Sequence, residues 1–318
     1  VASRIIGCGG YLPSTIKFNS DLTEFLDTSD EWIKARTGIS QRHIASQAEF
    51  ASHMAYEAAK KAISDAQIAV HDIDLLIVAT TTPDESFPTV ASKLHGYLGL
   101  NESAGAFDVN AVCAGFIYGL HIADSLLKSG LYRHVLFVAA EKMSSLIDWS
   151  DRSTAVLFGD GAGAVILKQD ESELGIIDSR VYCNGSKYDI LYTNGGVSST
   201  QESGKIVMKG AEVFKLASLK MTESIRFLLQ EHNLAVEDIA YIVPHQANVR
   251  IIQHLAHSLD VSFDRVFVTI EKHANCSAAS IPLALAELKA AGKLRAGDNI
   301  IFTSFGAGAV WGSALVRW

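Results

Sequence analysis

The feature that most constrains this chain is an internal echo. Val70-His-Asp-Ile-Asp-Leu-Leu-Ile-Val returns in outline as Val236-Glu-Asp-Ile-Ala-Tyr-Ile-Val, and Gly161-Ala-Gly-Ala-Val-Ile returns as Gly306-Ala-Gly-Ala-Val-Trp. Two matches in the same order and at similar offsets predict a chain of two related halves, 1–172 and 173–318. The alternative, that strand starts and Gly-Ala hairpins simply look alike, stays open at this level.

Hydrophobic periodicity supports an α/β class. Short apolar runs rich in β-branched residues predict strands at Leu75–Ala79, Ala104–Val109, Val135–Ala139, Ala162–Leu167, Tyr241–Val243, Val266–Thr269, Ile300–Phe302 and Ala309–Val316. Longer stretches of helical period predict helices at Ala51–Ala66, Gly115–Ser129, Glu212–Gln230, Val249–Ser258 and Ala278–Ala291. With 318 residues, 48% of them hydrophobic, the chain builds a large core without staples. Its cysteines, at 8, 113, 183 and 276, form no C-x-x-C pair, which fits a reducing cytoplasm and makes any special cysteine a nucleophile rather than half of a bridge. A net charge of −8 without blocks of like charge argues against nucleic acid as a partner. Ile300 to Val316 is uncharged but carries Gly306, Gly308 and Gly312, so it reads as strand, turn and strand, and no membrane partner is expected. Val1 leads directly to the strand-like Arg4-Ile5-Ile6-Gly7, with no basic and then apolar leader, so no signal peptide is expected.

Three segments could carry chemistry. In Asp108-Val-Asn-Ala-Val-Cys113-Ala-Gly-Phe116 a strand ends and a buried helix begins, so Cys113 sits where free N–H groups and the helix dipole favour a thiolate. Small neighbours Ala111, Ala114 and Gly115 leave the sulfur approachable, though a cysteine there can also be only a small hydrophobe. His245, in Val243-Pro-His-Gln-Ala-Asn248, follows a strand that Pro244 ends; it is either a site residue or a turn histidine bonded to backbone. Asn275 precedes a helix in His273-Ala-Asn-Cys-Ser and could equally cap it. The glycines of Ser304-Phe-Gly-Ala-Gly-Ala-Val could turn backbone N–H groups toward an oxyanion or simply make a tight turn. Gly159-Asp-Gly-Ala-Gly163 fits no phosphate-loop spacing, and the scattered histidines, with His254 and His257 on a polar face, predict no metal site.

Taken together these segments resemble the β-ketoacyl-[acyl-carrier-protein] synthase III family of the thiolase superfamily. The resemblance also rests on Thr28-Ser-Asp-Glu-Trp-Ile-Lys-Ala-Arg-Thr-Gly-Ile39, Asp151-Arg-Ser-Thr-Ala-Val-Leu-Phe-Gly-Asp-Gly-Ala-Gly163, Asn275 to Pro282 and Trp311-Gly-Ser-Ala-Leu-Val-Arg317. It implies a thiolase-like duplicated α-β-α-β-α sandwich and a homodimer. It also implies decarboxylative condensation of a short acyl-CoA, such as acetyl-CoA, with malonyl-acyl-carrier protein to initiate fatty-acid synthesis, with no cofactor. A related starter-unit condensing enzyme or acyltransferase of a polyketide pathway is the alternative.

The resemblance assigns Cys113 as nucleophile, His245 and Asn275 as N–H donors to the enolate, and the N–H groups of Cys113 and Ala307 as the oxyanion hole. Trp32, Arg36, Thr37, Arg152, Gly210 and Asn248 would hold CoA, Phe87 would close the acyl pocket across the dimer, and Lys215 and Arg250 would meet the acidic carrier protein. Departures from the family pattern are His257 and Ser258 in place of lysines, Ala307 in place of glycine, His273-Ala274 in place of Tyr-Gly, and Cys276 in place of threonine. A left-handed backbone at Ala307 would be disfavoured.

Overall fold

Alternation within strands decides the layering. In β4 (Leu75–Ala79) and β6 (His134–Lys142), Leu75, Ile77, Val135 and Phe137 point to one side, and Leu76, Val78, Leu136 and Val138 to the other. Strands apolar on both faces must be covered on both, as parallel strands are. With β1 (Ala2–Tyr11), β5 (Gly105–Val109) and β7 (Asp160–Asp170) they form a five-stranded sheet of order β1-β7-β6-β4-β5. The computed structural model describes residues 2–318.

A second sheet repeats the plan. β8 (Gly175–Cys183), β11 (Ile239–Pro244), β12 (Asn299–Gly306) and β13 (Val310–Arg317) pair in the order β11-β12-β13-β8. Each sheet has a parallel pair, β4 with β6 and β11 with β12, followed by two antiparallel steps. The counterpart of β5 is reduced to one parallel bridge, Ile242 to Val266. The strand expected at Val266–Thr269 therefore does not form. Gln246 Oε1 accepts the N–H groups of Thr269 and Ile270, which turns the chain into α9 (Ile270–His273) before a ladder can grow.

Helices fill the remaining layers. α3 (Ala51–Ala66) and α4 (Val90–Leu98) cover the outer face of the first sheet, and α7 (Gly210–Glu231) and α8 (Val249–Leu259) that of the second. Between the sheets lie α5 (Gly115–Lys128) and α10 (Ser280–Ala290), the central layer of an α-β-α-β-α sandwich. Phe116 of α5 is fully buried, stacked on Phe137 at 5.3 Å and edge-on to Phe302 at 5.8 Å, so one ring joins both sheets. Its truncation would cost about 3–5 kcal/mol. Gly119 is required one turn on, because a Cβ there would fall 2.1 Å from the Phe137 ring.

Smaller elements build the rim: the hairpins β2 (Thr15–Phe18) with β3 (Gln41–Ile44) and β9 (Leu191–Thr193) with β10 (Ile206–Met208), and the short helices α1 (Asn19–Thr23), α2 (Asp30–Thr37) and α6 (Arg152–Ala155). None of the described helices is long and apolar enough to cross a membrane.

Candidate active site

Cys113 lies in a single 3-10 turn, Val112–Ala114, between β5 and the buried start of α5. Val112 takes a left-handed φ of 47°, which reverses the chain sharply. Ser304 Oγ donates to the Cys113 carbonyl at 2.7 Å, tying the turn to β12. Gly306 is needed at that crossing, since a Cβ would sit 2.9 Å from the Cys113 nitrogen.

Burial opposes the thiolate that the helix start favours. Cys113 is only 5% exposed, and loss of water, outweighing contact with the Ser277 hydroxyl, pushes its thiol up to about 12. The same physics acts in reverse on His245, whose burial pulls its imidazole down to about 3. The free protein therefore holds a neutral thiol and a neutral imidazole.

The tautomer of His245 depends on where one hydrogen goes. Ser280 Oγ stands 2.6 Å from His245 Nδ1 and 2.8 Å from the Ser277 carbonyl, and its one hydrogen serves one of them at a time. Given to the carbonyl, it lets Nδ1–H donate to Ser280 and leaves Nε2 an acceptor; given to Nδ1, it leaves Nε2–H as the donor. The neutral imidazole offering an N–H to substrate, expected from the sequence, is the second arrangement. Neighbouring Gln246, fully buried, spends both ends of its amide on backbone from Pro244, Phe267, Thr269 and Ile270 and so fixes this turn.

Asn275 is held just as firmly. Its backbone bonds Leu157 and Gly159, and its Oδ1 accepts the Ser277 N–H at 2.8 Å, which leaves the amide nitrogen as the free donor. Cys113, His245 and Asn275, from three separate segments, line one cavity of about 560 Å³.

Trp32, Arg36, Thr37, Gly210, Asn248 and Arg250 line the same cavity. Two guanidinium groups stand over the Trp32 ring, Arg152 at 4.9 Å and Arg36 at 5.6 Å from its centroid. Such a planar, cationic mouth suits a purine carrying phosphates. Thr37 spends its hydroxyl on Ile33 and Ile39, and Asn248 caps α8 while donating to the Arg36 carbonyl. Arg250 and Lys215 are exposed on α8 and α7. Ala307 borders a second cavity of about 960 Å³ that also reaches Cys113; the left-handed conformation falls on Gly308, φ 134°, so Ala307 avoids the expected strain. Phe87, 85% exposed, follows Glu85 and Ser86 at the rim of this second cavity.

One buried group escaped the sequence reading. Glu141 places its carboxylate among Thr80, Thr81 and Thr82, where the sequence offered only threonines. The faint signal was a charged residue directly after the apolar run 135–140. Among the described residues no group of three or more His, Cys, Asp or Glu could hold a metal ion.

Comparison with known proteins agrees with this geometry. Residues 107–185 match the family model described as 3-oxoacyl-[acyl-carrier-protein] synthase III, and residues 229–318 match its C-terminal counterpart. A β-ketoacyl-[acyl-carrier-protein] synthase III of Rickettsia bellii is 59% identical over 99% of each chain. The crystal structure of 3-oxoacyl-[acyl-carrier-protein] synthase III from Aquifex aeolicus superposes with a TM-score of 0.95 at 45% identity, covering 99% of this chain and 100% of that one. A priming β-ketosynthase of a polyketide biosynthetic pathway superposes at 0.93 with 34% identity, covering 99% and 96%.

Proposed function

The chain belongs to the 3-oxoacyl-[acyl-carrier-protein] synthase III family of condensing acyltransferases, and on that premise we propose that it joins a short acyl-CoA, acetyl-CoA first among them, to malonyl-acyl-carrier protein. The product is a β-ketoacyl-acyl-carrier protein, the first elongated intermediate of fatty-acid synthesis. The observation that carries this reading is the meeting of Cys113, His245 and Asn275 in one cavity also lined by Trp32, with two arginines close to its ring. The greater identity to the fatty-acid synthase relative than to the polyketide priming enzyme supports it over the alternative.

In the first half-reaction Cys113 sulfur attacks the thioester carbonyl as its proton passes to His245 Nε2. The N–H groups of Cys113 and Ala307 receive the oxyanion. Collapse breaks the bond to CoA, whose thiolate takes that proton from His245 and leaves as the thiol. His245 is neutral again, and with the Ser280 hydroxyl donating to Nδ1 it presents Nε2–H.

In the second half-reaction the malonyl thioester oxygen accepts hydrogen bonds from that Nε2–H and from the Asn275 amide. The bond to the malonyl carboxylate breaks, carbon dioxide leaves, and the electron pair becomes an enolate that these donors stabilise. The enolate carbon attacks the acyl group on Cys113, the carbon–sulfur bond breaks, and the departing thiolate takes up from solvent the one proton that the overall reaction consumes. These steps need no cofactor.

Trp32, Arg36, Thr37, Arg152, Gly210 and Asn248 would hold the nucleotide and pantetheine arm, and Lys215 and Arg250 the acidic carrier protein. A second copy of the chain would cover Phe87, a reading supported by that ring's exposure beside the second cavity. The division into related halves at residue 172 is supported by the shared strand order, and a cytoplasmic location by the free state of the cysteines. Intact-protein mass spectrometry with acetyl-, isobutyryl- and longer acyl-CoAs in competition tests the activity. One acyl adduct on the Cys113 peptide, discharged by malonyl-acyl-carrier protein, is expected; no adduct with any acyl-CoA would overturn the reading.

A further inference from the structure

Glu141, at the end of β6, is fully buried beside the nucleophile and takes no part in the steps above. Its two oxygens are treated very differently. Oε2 accepts from the Thr81 N–H at 2.9 Å, Thr82 Oγ1 at 3.0 Å, Thr81 Oγ1 at 3.2 Å and, loosely, Thr80 Oγ1 at 3.4 Å. Oε1 has no hydrogen-bond partner. Ser277 Oγ, equally buried, has none either. The Ser277–Ala279 turn packs against both β6 and the Cys113 turn, and the Ser277 hydroxyl favours the ionised form of both groups, thiolate and carboxylate alike. A hydroxyl has one hydrogen, so it can serve one of those acceptors at a time.

We propose that Glu141 is a positioning residue for Cys113, acting through Ser277. With a hydrogen on Oε1 it donates to Ser277 Oγ, and the Ser277 hydrogen is released to the sulfur. Without that hydrogen, Oε1 claims the hydroxyl and sets a like charge near the thiolate. Burial, partly offset by the threonine cage and Ser277, pushes the Glu141 carboxyl up to about 7, so the exchange falls within the working pH range.

The titratable groups sharing this pocket are few. Cys113 and Cys276 feel the Glu141 charge, and Asp160 of neighbouring β7 acts on Cys276 as well. Lys142 points away to the carbonyls of Ser46 and Glu49. On α3, Glu57 pairs with Lys60 and Asp65 with Lys289; on α5, Asp124 pairs with Lys128 and His121 bonds Ser179.

The inference rests on Cys113 being the reactive thiol, and the test separates the two claims. Iodoacetamide labelling of the full-length protein between pH 5.5 and 9, read on the Cys113 peptide, reports sulfur reactivity without any CoA substrate. An isolated thiol far below its pKa gains about tenfold in rate per pH unit. The wild-type profile is expected to flatten around pH 7 and then resume its climb.

Glu141→Gln keeps an acceptor for the threonines and gives Ser277 a permanent donor. Its profile should be straight and about tenfold faster than wild type at pH 8.5. Ser277→Ala, which leaves only the direct charge of Glu141, should flatten less than wild type and be slower at pH 6. A Glu141→Gln profile that is uniformly slowed but unchanged in shape would overturn the proposal, since that is what a merely structural carboxyl gives. Should Glu141→Gln fail to fold, a Ser277→Ala profile flattened as strongly as that of wild type would overturn it equally. Acetyl-CoA offered in parallel tests the other claim: a normal labelling profile with no acyl adduct would sink the condensing role and leave the Glu141–Ser277 coupling standing.

Discussion

The turn before α5 and the turn before α10 occupy matching places in the two sheets, and their backbones nearly coincide. Val112 and Ser277 both take left-handed φ values, 47° and 49°, and each opens a 3-10 turn that runs into a buried helix. The residues before them, Ala111 and Cys276, share ψ values of 29° and 30°. The next residue differs: Cys113 in one turn and Ala278, 1% exposed, in the other. The turns also abut, since a Cβ on Gly115 would come 3.0 Å from that of Ala278. One turn presents the sulfur while the other holds Asn275 through the Ser277 N–H, and its Ser277 carbonyl shares the Ser280 hydroxyl with His245. The difference teaches that the repeated backbone supplies positions and a handful of side chains supplies the chemistry. Two left-handed non-glycine residues cost on the order of 1–3 kcal/mol each, a cost the packed core must carry.

Replacing the residue that distinguishes the turns should have the largest effect. Cys113→Ala makes the first turn resemble the second; it should give no acyl adduct and reduce condensation by at least about a thousandfold, while CoA still raises the melting temperature. Loss of melting protection by CoA would show that the variant had damaged more than the nucleophile. Ser280→Ala removes the hydroxyl that bonds His245 Nδ1 and orients the ring, and stopped-flow acylation should slow on the order of a hundredfold. Unchanged acylation would contradict that role for Ser280.

Trp32→Ala, outside both turns, should raise KM for acyl-CoA about tenfold and leave kcat nearly intact. An equal fall in kcat would place Trp32 in the chemical step. The smallest effect on turnover belongs with a readout in stability. Between 4.5, the ordinary carboxyl value, and about 7, folded Glu141 keeps a proton that the unfolded chain has lost, so folding weakens as pH rises through that window. Urea unfolding at pH 5 and pH 8 should show wild type losing up to about 3 kcal/mol that Glu141→Gln retains. Parallel losses in both proteins would mean that Glu141 does not titrate there.

Much of this architecture is legible in the amino-acid order because strong periodicity survives tertiary packing. Ala51–Ala66 is read to the residue, and Ile300 to Val316 folds as strand, turn and strand. β8 is missed because Asp178 and Arg180 interrupt its apolar pattern, α4 because it is short and contains Gly96, and α2 because its apolar face is narrow. The site residues are named by local context and family resemblance, whereas their protonation depends on burial that no local pattern carries. Ser280 lies 35 residues from the histidine it orients, and Glu141 about 60 from its threonine cage. Such partners become visible only when the strands are laid side by side.

The central claim is that the two turns divide the reaction, sulfur attack from one and enolate stabilisation from the other. Half-reaction kinetics of Asn275→Ala test it most directly, by quench-flow mass spectrometry of the Cys113 peptide with acetyl-CoA and then malonyl-acyl-carrier protein. The account predicts that acyl-Cys113 forms within about threefold of the wild-type rate and that its discharge with release of carbon dioxide slows by at least about a hundredfold. Equal slowing of both half-reactions would contradict the division.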